Sequence, residues 1–419
     1  MTAGTERPAR RRIAVSELRG ALQLAAQATR GVAGIVEGVH QAVWRTLGAG
    51  RSDPTARTRG LTGLVYRGIH GVSQVVERGA DRALLKLQSR LDHDHDAHHP
   101  SPQRAALLSV LNGVFGDHLA DSDNPLAIPM SLRLRGNRID ANPALRIPAP
   151  REHIVLLIHG LCMNDLQWRG ERQGAVVDHG ETLAAALDAT PLHLRYNTGR
   201  HISQNGRELS AQLEQLIAHW PAPVERITIV AHSMGGLVAR SACHYGEAAS
   251  MRWRERVRHL VFLGVPHQGA PLERAGQWVD QVLGRSLYTA PFAKLGQMRS
   301  AGITDLRHGY VRDEDWQDAD RFASANDPRP TLPLPADVAC FSVAATLAKQ
   351  RSRLAERLVG DGLVPLHSAL GQHDDDTRDL GLHRHPHWIS HGTGHIELLH
   401  QAAVGEQIVR WMQPRKITR

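Results

Sequence analysis

The sequence predicts an α/β protein, with a mostly parallel central sheet and helices on its faces. Two observations carry this. Short apolar runs of strand length alternate with stretches whose apolar residues recur at helical spacing, which argues for a parallel sheet wound by right-handed crossovers. One of those runs, Arg226-Ile227-Thr228-Ile229-Val230, ends abruptly at Ala231-His232-Ser233-Met234-Gly235 and passes into the helix-like Gly236-Leu237-Val238-Ala239-Arg240. A strand that turns sharply into a helix can hold one residue in a strained conformation at the carboxyl end of the sheet, where sites of such sheets lie.

The elements follow in order. Residues 1–90 read as two helical segments separated near Gly48–Pro54. Thr29-Arg30-Gly31-Val32-Ala33-Gly34-Ile35-Val36 is echoed by Thr58-Arg59-Gly60-Leu61-Thr62-Gly63-Leu64-Val65. Small residues at helical spacing let helices approach closely, so a basic helical hairpin is expected. The alternative is an interfacial helix with arginines toward lipid headgroups. Residues 91–104, rich in Asp and His, read as a linker. A strand hairpin is expected from Ile128 to Ile147, turning near Gly136-Asn137.

Residues 105–419 then carry the α/β domain. His153–Ile158 is its first central strand and runs into His159-Gly160-Leu161-Cys162-Met163. Leu192–Tyr196 is a further strand, and Leu209, Leu213, Leu216 and Ile217 mark a helix face. His259–Leu263 follows the elbow helix. The stretch 271–335 reads as a lid, with Leu283, Leu287, Tyr288, Phe292 and Leu295 as candidates to line an acyl site. Val338–Val343 is a late strand, followed by a short basic helix and then Gly360-Asp361-Gly362. The chain closes on a loop, Ser390–His395, and an apolar helical tail.

These positions fit nucleophilic catalysis. A serine hydroxyl is a weak nucleophile and needs a base, an acid to orient it and donors for the oxyanion. Ser233 is the candidate nucleophile. Ala231 stands where the usual Gly-x-Ser-x-Gly pattern has its first glycine. Asp361, between two glycines, is the candidate acid; Asp374, Asp375 and Asp376 are rivals that read as a solvated loop. His395 is the candidate base, with His391 its rival. The N–H groups of Met234 and Leu161 are the candidate oxyanion donors. His159, Gly160, His232 and His267 are candidates to line the pocket.

With these residues in place, the chain resembles the α/β-hydrolase family. Ile158-His159-Gly160-Leu161, Ala231–Gly236, Gly264-Val265-Pro266-His267-Gln268-Gly269, Gly360–Pro365 and Gly394-His395-Ile396 carry the resemblance, which spans about residues 125–413. The Gly264–Gly269 stretch is similar to bacterial lipases and to the GPI-inositol-deacylase-like branch. The resemblance implies an eight-stranded, mostly parallel sheet and hydrolysis of a carboxylic ester with a lipid-like acyl group, with no cofactor and no metal. Acyl transfer by the same three residues is the alternative. A catalytically inactive hydrolase fold tethered to a membrane or partner is the other.

Composition narrows the remaining classes. Three cysteines, Cys162, Cys243 and Cys340, lie far apart in a chain of 419 residues, which argues against a disulfide framework or a zinc site. Residues 1–90 hold fifteen cations against six anions, a balance of +9 where the whole chain carries +8. The basic charge therefore belongs to the N-terminal helices. No nucleic-acid motif accompanies it, so nucleic-acid binding is not expected. No secretory signal or spanning segment is read, so a cytoplasmic protein is expected, with peripheral membrane contact through residues 1–90 as the open question.

Overall fold

The structure is a computed structural model that describes residues 102–139, 147–172, 174–270, 300–317, 331–348 and 360–413. The helical region expected at 1–90, the basic helix expected before Gly360 and the five apolar lid residues named above lie outside the described residues. The chain divides into two compact units. One is Met1–His99 with Leu119–Ala127; the other is Pro100–His118 with Ile128–Arg419. In the first, Asn124 Oδ1 accepts the Leu126 N–H at 2.9 Å, an Asx turn. The second carries the sheet and the candidate site.

Eight strands form one sheet. In chain order they are β1 (Ser131–Leu134), β2 (Asn137–Arg138), β3 (His153–Ile158), β6 (Thr190–Arg195), β7 (Arg226–His232), β8 (Val257–Leu263), β9 (Ala339–Thr346) and β10 (His387–His391). The intervening β4 (Arg169–Arg172) and β5 (Ala175–Asp178) make a separate hairpin. The spatial order is β10-β9-β8-β7-β3-β6-β1-β2. From β10 to β6 every pair is parallel, while β1 runs antiparallel to β6 and β2. Sandwiched parallel strands bury both faces, and Ile154 to Ile158 are accordingly without solvent exposure.

The first hairpin turns at Arg135-Gly136, one residue before the expected Gly136-Asn137. Both residues have positive φ, 49° and 81°. That is the pair of left-handed conformations a two-residue hairpin with the strands' twist requires. Asn137 is instead paired with Leu134 in the ladder.

The described helices are α1 (Pro102–Asp121), α2 (His179–Leu187), α3 (Ile202–His219), α4 (Met234–Ala248), α5 (Ala301–His308), α6 (Leu366–Ala369) and α7 (Ala402–Met412). None is long and apolar enough to cross a membrane. Helix α1 was not anticipated, and it starts inside the stretch read as linker. It opens with proline, whose missing N–H costs nothing there. Its body docks by polar contacts: Asn197 Nδ2 donates to the Gly116 carbonyl (2.8 Å), Ser300 Oγ to the Gly113 carbonyl (2.6 Å) and Asn164 Nδ2 to Ser109 Oγ (3.1 Å). Helix α5 lies within the stretch read as a lid.

Helix α3 connects β6 to β7 and buries Ile202, Gly206, Leu209, Leu213 and Leu216, the i, i+3, i+4 spacing of one face. It packs on α4, whose first residue follows Ser233. Their contact is close because Gly206 has no side chain: a Cβ there would stand 2.2 Å from Ser241 Oγ and 3.0 Å from the Ala242 nitrogen. Replacing Gly206 with valine is expected to destabilise the protein by about 1–3 kcal/mol through overpacking. A urea denaturation midpoint unchanged from wild type would contradict this packing.

Candidate active site

The strand ends converge. β7 delivers Ser233, β3 delivers His159-Gly160-Leu161, β9 leads toward Asp361, and the loop after β10 carries His395.

Ser233 adopts φ 55° and ψ −128°, between the last strand residue and the first turn of α4. A non-glycine residue in such a conformation stores roughly 1–3 kcal/mol. The surrounding backbone holds it: the Ser233 N–H donates to the Leu263 carbonyl (2.9 Å), and the Ser233 carbonyl accepts from Gly236 (2.9 Å). Ala231, 1% exposed, sits between Ile158 and Phe262 in the ladder, so a methyl group is accommodated where the usual pattern has glycine. Gly235 has no such latitude, since a Cβ would approach the carbonyl oxygens of Ile158 and His159 to 2.6 Å. Ser233 Oγ has no hydrogen-bond partner and the residue is fully buried.

Asp361 and His395 meet in a buried contact. His395 Nδ1 lies 2.7 Å from Asp361 Oδ2. Asp361 Oδ1 accepts the N–H groups of Leu363 (3.0 Å) and Val364 (2.8 Å), so its own tight loop fixes the carboxylate. A carboxylate only accepts, so the His395 proton sits on Nδ1 and Nε2 carries the lone pair. Two backbone bonds hold the His395 main chain: its N–H donates to the Asp361 carbonyl (3.1 Å) and its carbonyl accepts from His232 Nε2 (3.1 Å). The rivals are placed elsewhere. Asp374, Asp375 and Asp376 are exposed, and His391 is in the β10 ladder opposite Thr346.

His232 is buried and its ring lies 4.6 Å from that of His395. Burial, then the proximity of His395, pushes its pKa well below the usual range, so it is neutral and donates from Nε2. His159 stacks on Tyr196 at 4.5 Å and its Nδ1 lies 3.0 Å from the Gly160 carbonyl. Burial lowers its pKa to about 4. Gly160 faces Ser233, because a Cβ there would lie 3.0 Å from Ser233 Cβ. Leu161 and Cys162 form the centre of a turn closed by Met163 N–H to the Gly160 carbonyl (3.3 Å), with Cys162 at φ 60°. Met234 is the first residue of α4, where amide groups lack an intrahelical acceptor. His267 packs edge-on against Phe262 (4.8 Å), and its Nδ1 accepts from Arg240 at 3.4 Å.

Several supporting residues were not legible as a motif. Tyr196 Oη donates to the His159 carbonyl (2.8 Å). The buried Asp165 carboxylate pairs with Arg195 at the end of β6. Together they clamp the loop after β3. The three cysteines are free and buried, and burial raises Cys162 to about 12, which makes it inert as a thiolate. Among the described residues no cluster of His, Cys, Asp or Glu could hold a metal ion.

Residues 150–334 match the family described as PGAP1-like alpha/beta domain. No curated protein sequence matches the chain. Among solved structures, a Bacillus licheniformis lipase in mature form is similar over 64% of this chain and 94% of its own, at 15% identity and TM-score 0.39. A Pyrobaculum calidifontis esterase is similar over 64% and 76%, at 12% and 0.37. Aspergillus fumigatus lipase B is similar over 95% and 80%, at 12% and 0.38. The mostly parallel sheet order and the family match over residues 150–334 agree with the α/β fold expected from the sequence.

The buried neutral histidines set a pH dependence. Below pH 6.5 the unfolded chain binds protons at these rings that the folded chain refuses until about pH 4 for His159, and lower than the usual range for His232 and His267. The unfolded state therefore binds more protons, and stability falls as pH drops through that window. Each ring contributes a slope of up to about 1.4 kcal/mol per pH unit. Thermal unfolding should show a steadily falling midpoint from pH 6.5 to 4; a flat profile would contradict the burial of these rings as neutral groups.

Proposed function

We propose that this protein is a serine hydrolase that cleaves carboxylic esters with lipid-like acyl groups, using Ser233, His395 and Asp361. The observation that carries the reading is the buried 2.7 Å contact between His395 and Asp361, together with the strained backbone of Ser233, whose buried hydroxyl has no hydrogen-bond partner.

In this reading His395 Nε2 takes the Ser233 proton as Oγ attacks the ester carbonyl. Asp361 holds His395 in the Nδ1–H tautomer and stabilises the imidazolium that forms. The Leu161 and Met234 N–H groups donate to the developing oxyanion. His395 returns the proton to the departing alcohol and leaves an acyl group on Ser233. Water deprotonated by His395 then releases the acid and restores the serine. Apolar surroundings favour an apolar acyl group: Leu161, Met163 and Met234 are 3%, 1% and 0% exposed beside the serine loop.

The test is steady-state hydrolysis of p-nitrophenyl butyrate by the full chain. Ser233→Ala is expected to abolish turnover. Asp361→Asn is expected to lower kcat by about 10⁴-fold, because the amide NH2 donates to Nδ1 and favours the Nε2–H tautomer, which cannot take the serine proton. Wild-type turnover in the Ser233→Ala protein would exclude the mechanism.

A further inference from the structure

The loop after β3 carries the amides of Leu161, Cys162, Met163 and Asn164 in succession. Three of them are engaged. The Cys162 N–H donates to Thr198 Oγ1 (3.1 Å), the Met163 N–H to the Gly160 carbonyl (3.3 Å) and the Asn164 N–H to Gln167 Oε1 (2.9 Å). Among the described residues nothing accepts from the Leu161 N–H, although Leu161 is only 3% exposed. Buried amides without an acceptor are rare, so this one calls for a reason.

The direction of that N–H is set by the Gly160 carbonyl. Both belong to one planar trans peptide group and therefore point opposite ways. Glycine tolerates either orientation of the group that follows it. A reversed group would present an acceptor in place of the donor. Two hydrogen bonds on the carbonyl oppose the reversal, one from the Met163 N–H (3.3 Å) and one from His159 Nδ1 (3.0 Å). A carbonyl only accepts, so the His159 proton is on Nδ1. The imidazole is itself fixed. It is buried, it stacks on Tyr196 with 4.5 Å between ring centres, and Tyr196 Oη donates to the His159 carbonyl at 2.8 Å.

We propose that His159 is a positioning residue for the oxyanion donor. Its ring N–H holds the Gly160 carbonyl, and so keeps the Leu161 N–H directed at the oxygen that becomes anionic when Ser233 attacks. The proposal rests on the reading of Ser233, His395 and Asp361 given above. In it His159 neither touches the substrate nor exchanges a proton. A donor that meets only the oxyanion stabilises the transition state and not the bound ester, so its misdirection lowers kcat and leaves KM.

The test uses the full chain, p-nitrophenyl butyrate as substrate and a straight-chain trifluoromethyl ketone as inhibitor. The ketone carbon takes Ser233 Oγ, the serine proton goes to His395 and the ketone oxygen becomes the same oxyanion. His159→Leu removes the ring donor, while His159→Asn keeps an N–H at the place of Nδ1. His159→Leu is expected to lower kcat by about tenfold or more, with KM within about threefold of wild type. Inhibition by the ketone should weaken by the same factor, and the pH dependence of kcat should keep its shape. His159→Asn is expected to restore kcat to within about threefold of wild type. Wild-type kcat in folded His159→Leu, with Ser233→Ala inactive, overturns the proposal and leaves the catalytic reading standing. A loss carried in KM, or one that His159→Asn does not restore, marks a packing role and also overturns it. Turnover by Ser233→Ala, or none by the wild type, overturns both. If His159→Leu does not fold, His159→Asn decides: near-wild-type kcat and ketone inhibition support the proposal, and loss of both overturns it.

Discussion

The hydrogen bond between Asp361 and His395 organises the site, and most of the surrounding structure serves to place its two ends. Asp361 is immobilised by its own loop, through two amides on one carboxylate oxygen. His395 is immobilised through its backbone, by Asp361 on one side and His232 on the other. Gly264 completes the enclosure. Its φ is 57°, and a side chain there would press on His395 Nδ1 (3.2 Å) and Asp361 Oδ2 (3.3 Å) together. Such close approach requires glycine for space as well as for backbone conformation.

The parallel sheet makes this possible at a distance in sequence. Residues separated by more than a hundred positions reach one rim because β3, β7, β8, β9 and β10 end on the same side. The same register sustains the strain at Ser233, whose amide is tied to the end of β8 and whose following glycine lies against the end of β3. The loop after β3 is fixed independently, by Tyr196 and by Arg195 through Asp165. A buried carboxylate–arginine pair contributes little net stability once desolvation is counted. Its contribution here is geometric, since it holds the loop bearing Leu161 beside the serine.

Much of this was legible in the residues. The alternation of apolar runs and helical faces gave a parallel sheet. The Ala231–Gly235 turn gave the elbow, and the glycines around Asp361 marked the tight loop. Position before the last helix selected His395 among 26 histidines. Other features were hidden for physical reasons. Helix α1 buries Val110, Val114 and Phe115 but carries Leu107, Leu108 and Leu111 as well, so no single apolar stripe announces it. The tail helix starts at Ala402, with a short 3₁₀ segment, Ile396–His400, between it and His395. Arg240 is a cation within a helix whose flanking residues, Leu237, Val238, Ala239, Ala242 and Cys243, are small or apolar and buried with it. His232 and His159 read as pocket residues, yet their ring nitrogens are directed to backbone carbonyls, a role that only the folded chain defines.

Covalent labelling measures the central claim, an activated serine at the elbow. The full chain is treated with a fluorophosphonate, and the modified residue is mapped by peptide mass spectrometry against a Ser233→Ala control. The account predicts modification at Ser233 alone, blocked by prior heat denaturation. Labelling of another residue, or none in natively folded protein with an accessible site, would contradict it.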